Sequence, residues 1–316
     1  MGKVGGGRNF GYGKMLAYAG KNALKDRYGD GHYATVAAHE ARWRLFVNHL
    51  KAQGIKDARD VDKEAILKYA NCLKGQVKTG ERKASYAQNC LSTINVVLSS
   101  MRKDSVLVIS PCALVGKRNN IRTTTPVTVN QSPLDRPIGY FSEKGEPRTA
   151  LVAKLCRDLG LRFKEASLLN AKVALREAEK YGKINVTRGT KGGRGKGVDR
   201  WVPVSTEALN TLQAAKALQG NSENLIPEKV SFKQWRDHAN SQWRLATRDS
   251  EIRGFHELRA AYACERYQQI TGSPAPVIGG FRAAVRELDH SARLIIALEV
   301  GHSRADVLVS YVGSAK

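Results

Sequence analysis

Two arginines, two histidines and a tyrosine stand in short motifs in the second half of the chain. They are Arg162 in a Gly-Leu-Arg string, His256 and Arg259 in a His-x-x-Arg box, His302 in a Gly-His pair, and Tyr311 nine residues after that histidine. Arginine offers a fork of permanently charged donors that fits two phosphate oxygens, and histidine can donate to a third oxygen or handle a proton. A tyrosine hydroxyl has a pKa of about 10, so it needs neighbouring cations before it can attack phosphorus. Such a set could bind and attack a phosphodiester.

The composition indicates a polyanionic partner. The sequence has 52 Lys and Arg residues against 29 Asp and Glu, which gives a net charge of +23 and a pI near 10.0. Hydrophobic residues make up 42% of the chain, enough for a real core and too many for a disordered basic tail. The sequence contains neither a run of about 18 apolar residues nor the apolar segment of a signal peptide. We therefore expect a soluble, cytoplasmic, nucleoid-associated protein that does not bind membranes.

Two cofactor motifs can be tested on the same letters. The Gly-rich turn 189–197 suggests a nucleotide-binding P-loop, but Thr190 and Gly197 occupy the positions where that loop needs a glycine and a Ser or Thr. His256 and Glu257 begin like a zinc-protease helix, but Ala260 replaces the second histidine. The five cysteines lack paired Cys-x-x-Cys spacing and are predicted to be reduced thiols. We expect no metal and no ATP or other cofactor.

Taken together, the motifs resemble those of the tyrosine recombinases, the phage-integrase superfamily, from roughly Pro133 to Tyr311. The family carries an acidic residue three positions after its first arginine, and Glu165 stands there after Arg162. The resemblance implies that Arg162 and Arg259 clamp the scissile phosphate, with an added hydrogen bond from His302. Glu165 would orient these cations without reacting.

The same resemblance implies a nucleophile and its proton partners. Tyr311 would attack to form a 3′-phosphotyrosine bond, and His256 would help manage the tyrosine proton. A lysine in a β-hairpin completes the family pattern, where it protonates the departing 5′ oxygen. Lys191 is the best candidate for it, and Lys196 in the same turn is the alternative.

The function that this resemblance implies is site-specific recombination or integration of DNA. Its partners would be double-stranded DNA at attachment or recombination sites and, in the synaptic complex, a homotetramer built from free monomers or dimers. An accessory DNA-bending protein would be a further partner. Two other function classes stay open: a type IB topoisomerase with the same chemistry, and a catalytically silent DNA-binding regulator on the same fold.

The hydrophobic pattern predicts a mainly α protein with a small β-sheet (α+β). The first, helical domain resembles the core-binding domain of the family in position and size, and the resemblance implies that the catalytic domain follows it. The predicted organisation is a basic N-terminal arm (1–30) that includes a short helix at 14–28, a helical DNA-binding domain (31–118), a linker (119–132) and a catalytic domain (133–316). Helices are predicted at 33–50, 62–73 and 84–101 before the linker, and at 147–159, 206–218 and 255–269 after it, with a turn or helix at 164–169. A hairpin is predicted from 183–187 and 200–204.

Two features of the second half are less regular. Trp235 and Trp243 alternate with cations, and we interpret them as core residues rather than stacking platforms for bases. The interval between Arg259 and His302 is longer than compact members of the family need. We assign the surplus to 271–290, either as an inert surface loop or as a contact between protomers.

Overall fold

Helices make up about 65% of the structure, and two short antiparallel strands form the sheet of its described part. This confirms the predicted class. The computed structural model describes residues 6–130, 132–191 and 197–314. The chain divides into two units, residues 1–119 and 120–316, and each unit has its own hydrophobic core.

The first unit is built from helices. Their bounds are α1 Leu16–Tyr28, α2 Tyr33–Ala52, α3 Lys63–Lys78, α4 Ala84–Arg102 and α5 Pro111–Val115. Three of them confirm the helices predicted at 33–50, 62–73 and 84–101, within a few residues at their ends. Asp62 caps α3, since its Oδ1 accepts a hydrogen bond from the Ala65 N–H at 2.8 Å.

The first 30 residues differ from the predicted basic arm. Leu16, Ala19 and Leu24 on α1 are buried in the core of the first unit. The Trp43 indole on α2 is also fully buried and donates to the Leu16 carbonyl at 3.1 Å. The small residues of α1, which look flexible in the sequence, let this helix approach Trp43 closely. Residues 16–28 are therefore part of a packed core, and residues 1–5 lie outside the described part of the chain.

The second unit places a hairpin among helices. Its elements are α6 Ser132–Glu143, α7 Pro147–Asp158, α8 Phe163–Ser167, α9 Ala171–Tyr181, β1 Lys183–Asn185, β2 Trp201–Pro203, α10 Thr206–Gln219, α11 Phe232–Ala246, α12 Phe255–Thr271, α13 Pro276–Gly279, α14 Arg286–Glu299 and α15 Val309–Val312. The predicted hairpin is confirmed, with Ile184 opposite Val202. The helices predicted after the linker are confirmed as α7, α10 and α12, and the segment predicted as a turn or helix at 164–169 is the short helix α8. Phe232–Ala246 form a further helix, α11.

The segment predicted as a linker packs against the second unit. The Arg122 N–H donates to the Val309 carbonyl at 2.8 Å. Further along, the buried Arg157 guanidinium donates to the carbonyls of Thr128 and Val129 at 2.7 and 3.0 Å. Residues 120–130 therefore contribute to the framework of this unit.

The surplus at 271–290 is partly helical and partly buried. It contains α13 and the first turn of α14, and Ala275, Pro276 and Ala284 are buried. Asp289 is also buried and accepts a hydrogen bond from the Tyr267 hydroxyl at 2.7 Å. Its part in contacts between protomers stays a prediction.

Across the described residues, no helix combines the length and the apolar character that a membrane span requires.

The contact between α1 and α2 gives a test of the first unit. A Cβ added at Gly20 would lie 2.0 Å from Trp43 Nε1, and the Trp43 side chain is fully buried. We expect Gly20→Ala to destabilise this unit by about 1–3 kcal/mol. Gly75 on α3 is the matched control, because a Cβ there meets nothing within 4 Å. Gly75→Ala should stabilise by up to about 1 kcal/mol through helix propensity. Hydrogen exchange of α1 to α4 measures both, and equal effects would contradict the packing described here.

Candidate active site

Arg162 and Glu165 lie at the start of α8. Arg162 is the N-cap residue, and its backbone N–H donates to Glu165 Oε2 at 2.8 Å. The Arg162 guanidinium donates to Glu165 Oε1 at 2.5 Å and remains partly exposed. The short helix thus fixes the arginine through the carboxylate, which is itself fully buried.

An aromatic cluster fixes α8 against α11 and α12. Phe163 on α8 stacks near Trp235 and packs against Phe255, with ring centroids 6.2 and 4.8 Å apart. Trp243 packs against Phe255 at 4.5 Å. Trp235 and Trp243 are each only 2% exposed, which confirms their interpretation as core residues. The indole of Trp235 also donates to Ser167 Oγ at 2.9 Å, so α8 is held at both ends.

The first turns of α12 carry His256 and Arg259 on one side. His256 remains exposed, and its ring lies 5.2 Å from the Tyr311 ring between centroids. Arg259 is buried, and its guanidinium donates to the carbonyls of Gly160 and Val300. Arg259 Nη1 also lies 3.5 Å from Glu165 Oε2. The arginine therefore joins α12 to the turn before Arg162 and to the end of α14.

Tyr311 lies on α15 with its hydroxyl directed at these groups. Arg259 Nε donates to the Tyr311 hydroxyl oxygen at 3.4 Å, and His302 Nε2 lies 3.3 Å from that oxygen. Tyr311 is 3% exposed. Its segment is held from both sides, by the Arg122 N–H on Val309 and by the Arg293 guanidinium on the Gly313 carbonyl at 3.1 Å.

The hairpin turn brings Lys191 towards Arg162. Gly189 packs on the backbone of α8, where an added Cβ would lie 2.9 Å from the Lys164 carbonyl oxygen. Two residues later, the exposed Lys191 lines a pocket of about 320 Å³ together with Arg162 and His302. Lys196, the alternative lysine, lies outside the described residues. The structure thus brings together the other predicted site residues around one pocket and the adjoining Tyr311 hydroxyl.

Positive charge exceeds negative charge among these groups. Arg162, Arg259 and a third arginine, Arg200, all lie within ion-pair distance of Glu165, at 2.5, 3.5 and 2.8 Å. Burial would raise the pKa of Glu165, but the charges of Arg200, Arg259 and Arg162 outweigh burial and hold this pKa below its ordinary value. Burial also lowers the pKa of Arg259 to about 10, so its guanidinium stays charged at neutral pH. Three guanidiniums that share one carboxylate form a site for an anion.

The two histidines of the site, His256 and His302, are neutral at neutral pH. Desolvation, together with the charges of Arg162, Arg259, Arg200 and Lys191, lowers the pKa of His302 to about 4. Although part of the His256 side chain is exposed, desolvation and the charges of Arg259, Arg122 and Arg162 also lower its pKa. A neutral imidazole can accept a proton as well as donate a hydrogen bond, so both rings can take part in proton transfer at physiological pH.

Two arginines near the site carry no motif in the sequence. Arg200 immediately precedes β2 and contacts Glu165. Arg122 forms a bidentate pair with Glu257, with both oxygens 2.8 Å from Nη2. Glu257 also accepts from the Val127 N–H at 3.2 Å. This pair ties residues 122–127 to the turn of α12 that carries His256. Only long-range contacts identify these residues, because neither has a fixed spacing to a motif.

Comparisons with known proteins point to one fold. A family model described as Integrase matches residues 120–265, a range that includes Arg162, Lys191, His256 and Arg259 but ends before His302 and Tyr311. No curated protein sequence matches the chain.

Solved structures cover both units. The Tn1549 transposon integrase in complex with transposon right end DNA has a TM-score of 0.59 and 10% identity over 95% of each chain. A lambda integrase dimer bound to a core site has a TM-score of 0.56 and 16% identity, over 95% of this chain and 76% of that one. A lambda integrase tetramer bound to a Holliday junction has a TM-score of 0.53 and 15% identity, over 93% and 75%. The chain has the tyrosine recombinase fold, and the predicted resemblance to that superfamily is confirmed.

The surroundings of His302 predict an unusual titration. In NMR spectra of ring-labelled histidine, assigned with His302→Gln, we expect the His302 signal to stay that of the neutral form until the pH approaches about 4. Because the unfolded state binds this proton near pH 6.5 and the folded state does not, the free energy of unfolding should fall as the pH drops from about 6.5 towards 4. His302→Gln should weaken that dependence. Titration of His302 near 6.5 would contradict the cationic environment.

Proposed function

We propose that this protein is a site-specific DNA recombinase or integrase that cuts and rejoins DNA strands through a 3′-phosphotyrosine intermediate, without metal or ATP. One observation carries the proposal: the Tyr311 hydroxyl contacts Arg259 and His302 beside a site where three arginines share one carboxylate. A nucleophile next to an anion site suits attack on a phosphodiester. The integrase family match and the fold support recombination at the family level.

The scissile phosphate would bind between the two predicted arginines. Arg162 is partly exposed and lines the pocket, so its fork can donate to one non-bridging oxygen. The backbone carbonyls of Gly160 and Val300 hold the Arg259 guanidinium in place. Its Nε, beside the Tyr311 hydroxyl, would donate to the other non-bridging oxygen of the phosphate. His302 would add a hydrogen bond to the phosphate. Glu165 keeps both guanidiniums in place and does not react.

Strand cleavage would exchange one phosphoester for another. The Tyr311 oxygen attacks phosphorus in line, the Tyr311 O–P bond forms, and the bond from phosphorus to the 5′ oxygen breaks. His256, against the tyrosine ring and neutral at pH 7, would help remove the phenolic proton. Lys191, exposed at the pocket, would give a proton to the departing 5′ oxygen.

The covalent bond makes a high-energy cofactor unnecessary. The 3′-phosphotyrosine conserves the energy of the broken phosphodiester, and a 5′ hydroxyl from another strand then attacks it in the reverse reaction. Recombination results when that hydroxyl belongs to a second duplex.

The partners follow from the same proposal. Duplex DNA would be bound by the helical first unit and by the second unit, and the net charge of +23 favours a polyanion. The lambda integrase forms a tetramer on a Holliday junction. We propose the same stoichiometry for the synaptic complex here, with free monomers or dimers and an accessory DNA-bending protein as further partner.

Removing the Tyr311 hydroxyl should separate binding from chemistry. Tyr311→Phe should abolish covalent protein–DNA adducts on a nicked suicide duplex while changing duplex affinity by less than about twofold, because the phosphate clamp is elsewhere. Tyr267→Phe is the matched control, since that hydroxyl bonds Asp289 away from the pocket. Denaturing gels measure the adducts. Adducts that persist in Tyr311→Phe would overturn the assignment of the nucleophile.

The general acid can be tested with a modified substrate. Lys191→Ala should slow cleavage by about 10² to 10⁴. A 5′-bridging sulfur should restore much of that rate, because a thiolate leaves without a proton. Lys196→Ala is the control and should cleave the ordinary substrate at nearly the parental rate. Rescue by sulfur of Lys196→Ala, but not of Lys191→Ala, would move the acid to Lys196.

A further inference from the structure

Arg200, the residue before β2, contacts both halves of the site. Its Nε donates to the Glu299 carbonyl at 2.7 Å, and its Nη1 lies 2.8 Å from Glu165 Oε1. Its guanidinium also lies directly under Gly301, which has a φ of +66°; an added Cβ there would be 3.1 Å from Arg200 Nη1. Arg200 therefore connects the carboxylate that orients Arg162 to the backbone that leads into His302.

This connection has an energetic cost. Arg200 is 7% exposed, and burial lowers its pKa even though the Glu165 carboxylate raises it. Its Nη1 and Nη2 are both buried without a hydrogen-bond partner among the described residues, so the contact of Nη1 with Glu165 is an ion pair. A buried cation whose donors are incompletely paired destabilises a fold relative to an apolar residue of similar size. A buried arginine at position 200 is therefore better explained by the contacts that it makes with Glu165 and Glu299 than by a contribution to the stability of the fold.

We propose that Arg200 is a positioning residue of the active site, which fixes the Gly301–His302 backbone relative to the pair formed by Arg162 and Glu165. The inference rests on the proposed function and adds a residue to its machinery. Arg200 acts through two contacts, one with the Glu165 carboxylate and one with the Glu299 carbonyl. Without them, His302 loses its fixed distance from the Tyr311 hydroxyl and from the phosphate that the arginines hold.

The fork of arginine is essential to this role. Nε and Nη1 of one rigid guanidinium reach the Glu299 carbonyl and Glu165 at the same time. Lysine keeps the charge but presents a single ammonium, which cannot reproduce both contacts in that geometry. Arg200→Lys is therefore the diagnostic variant.

Arg157 provides the matched control. It is also a buried arginine, 2% exposed, and its guanidinium bonds two carbonyls and Glu265. It contacts neither Glu165 nor Gly301 in the described structure. Arg157→Lys thus replaces another buried guanidinium with an ammonium of the same charge. It therefore measures how much an Arg→Lys substitution at a buried position affects folding in general.

The first measurement is single-turnover adduct formation by the full-length protein on a suicide duplex. We expect Arg200→Lys to slow it by about 10- to 100-fold with nearly unchanged duplex affinity, the size of effect that misplaced catalytic groups produce. Arg157→Lys should stay within about threefold of the parental rate. In a His302→Ala background, Arg200→Lys should have little further effect, because its target is already absent. A parental rate in Arg200→Lys, or full additivity with His302→Ala, would overturn the proposal.

A neutral phosphate distinguishes positioning from direct contact. On a duplex with a methylphosphonate at the scissile position, a residue that only neutralises phosphate charge becomes dispensable. Arg200→Lys retains the positive charge at position 200, so this experiment uses Arg200→Met, which removes it. We expect Arg200→Met to remain slow on this substrate relative to the parental protein. Restoration to the parental rate would make Arg200 a phosphate ligand and overturn its assignment as a positioning residue.

The last measurement needs no DNA cleavage. In the free protein, Arg200→Lys should shift the ring-nitrogen NMR signals of His302, which report its contact with the Tyr311 hydroxyl, whereas Arg157→Lys should leave them unchanged. Unchanged His302 signals in Arg200→Lys would overturn the proposal. If the parental protein forms no adduct, the proposed function fails, and this spectrum still decides the role of Arg200.

Discussion

The candidate active site in the second unit depends on the buried carboxylate of Glu165, which lies among three arginines. It meets Arg162 on its own helix, Arg200 from the hairpin and Arg259 from α12. Each of these guanidiniums would repel the others, and two of them are almost completely buried. A single anion at their centre makes the cluster stable enough to form, while the positive excess leaves a place for a second anion. Removal of one partner from such a buried set is costly, typically about 3–5 kcal/mol, because it leaves uncompensated charge.

Packing elsewhere in the second unit fixes the helices that carry the arginines of this cluster. The aromatic contacts of Phe163, Trp235 and Phe255 set α8 against α11 and α12, so Arg162 and Arg259 approach from two helices with little freedom. Arg259 then reaches the Val300 carbonyl and the Tyr311 hydroxyl. The nucleophile segment is thus linked to the anion site by the same arginine that would clamp the phosphate. In the proposed reaction, these preorganised donors would provide the largest single contribution to catalysis.

The motif residues could be predicted because their spacing is local. His256 and Arg259 share one helix face, and Glu165 lies one turn after Arg162, so their geometry follows from the helix itself. Arg200 and Arg122 could not be predicted, because their carboxylate partners, Glu165 and Glu257, lie 35 and 135 residues away in the chain. The sequence pattern assigns the first helix to an arm, because its alanines and glycine carry little hydrophobic signal, although Gly20 lets α1 approach Trp43 closely. At 271–290, the prolines and glycines indicated a loop and concealed the start of α14.

The central claim is that Tyr311 becomes covalently joined to a 3′ phosphate of DNA. Mass spectrometry of the trapped adduct tests it most directly, after nuclease and trypsin digestion. Trypsin should release residues 305–316, a peptide in which Tyr311 is the sole tyrosine. The account predicts that this peptide carries the residual nucleotide through the Tyr311 oxygen. A nucleotide on another residue, or a 5′-phosphate linkage, would contradict it.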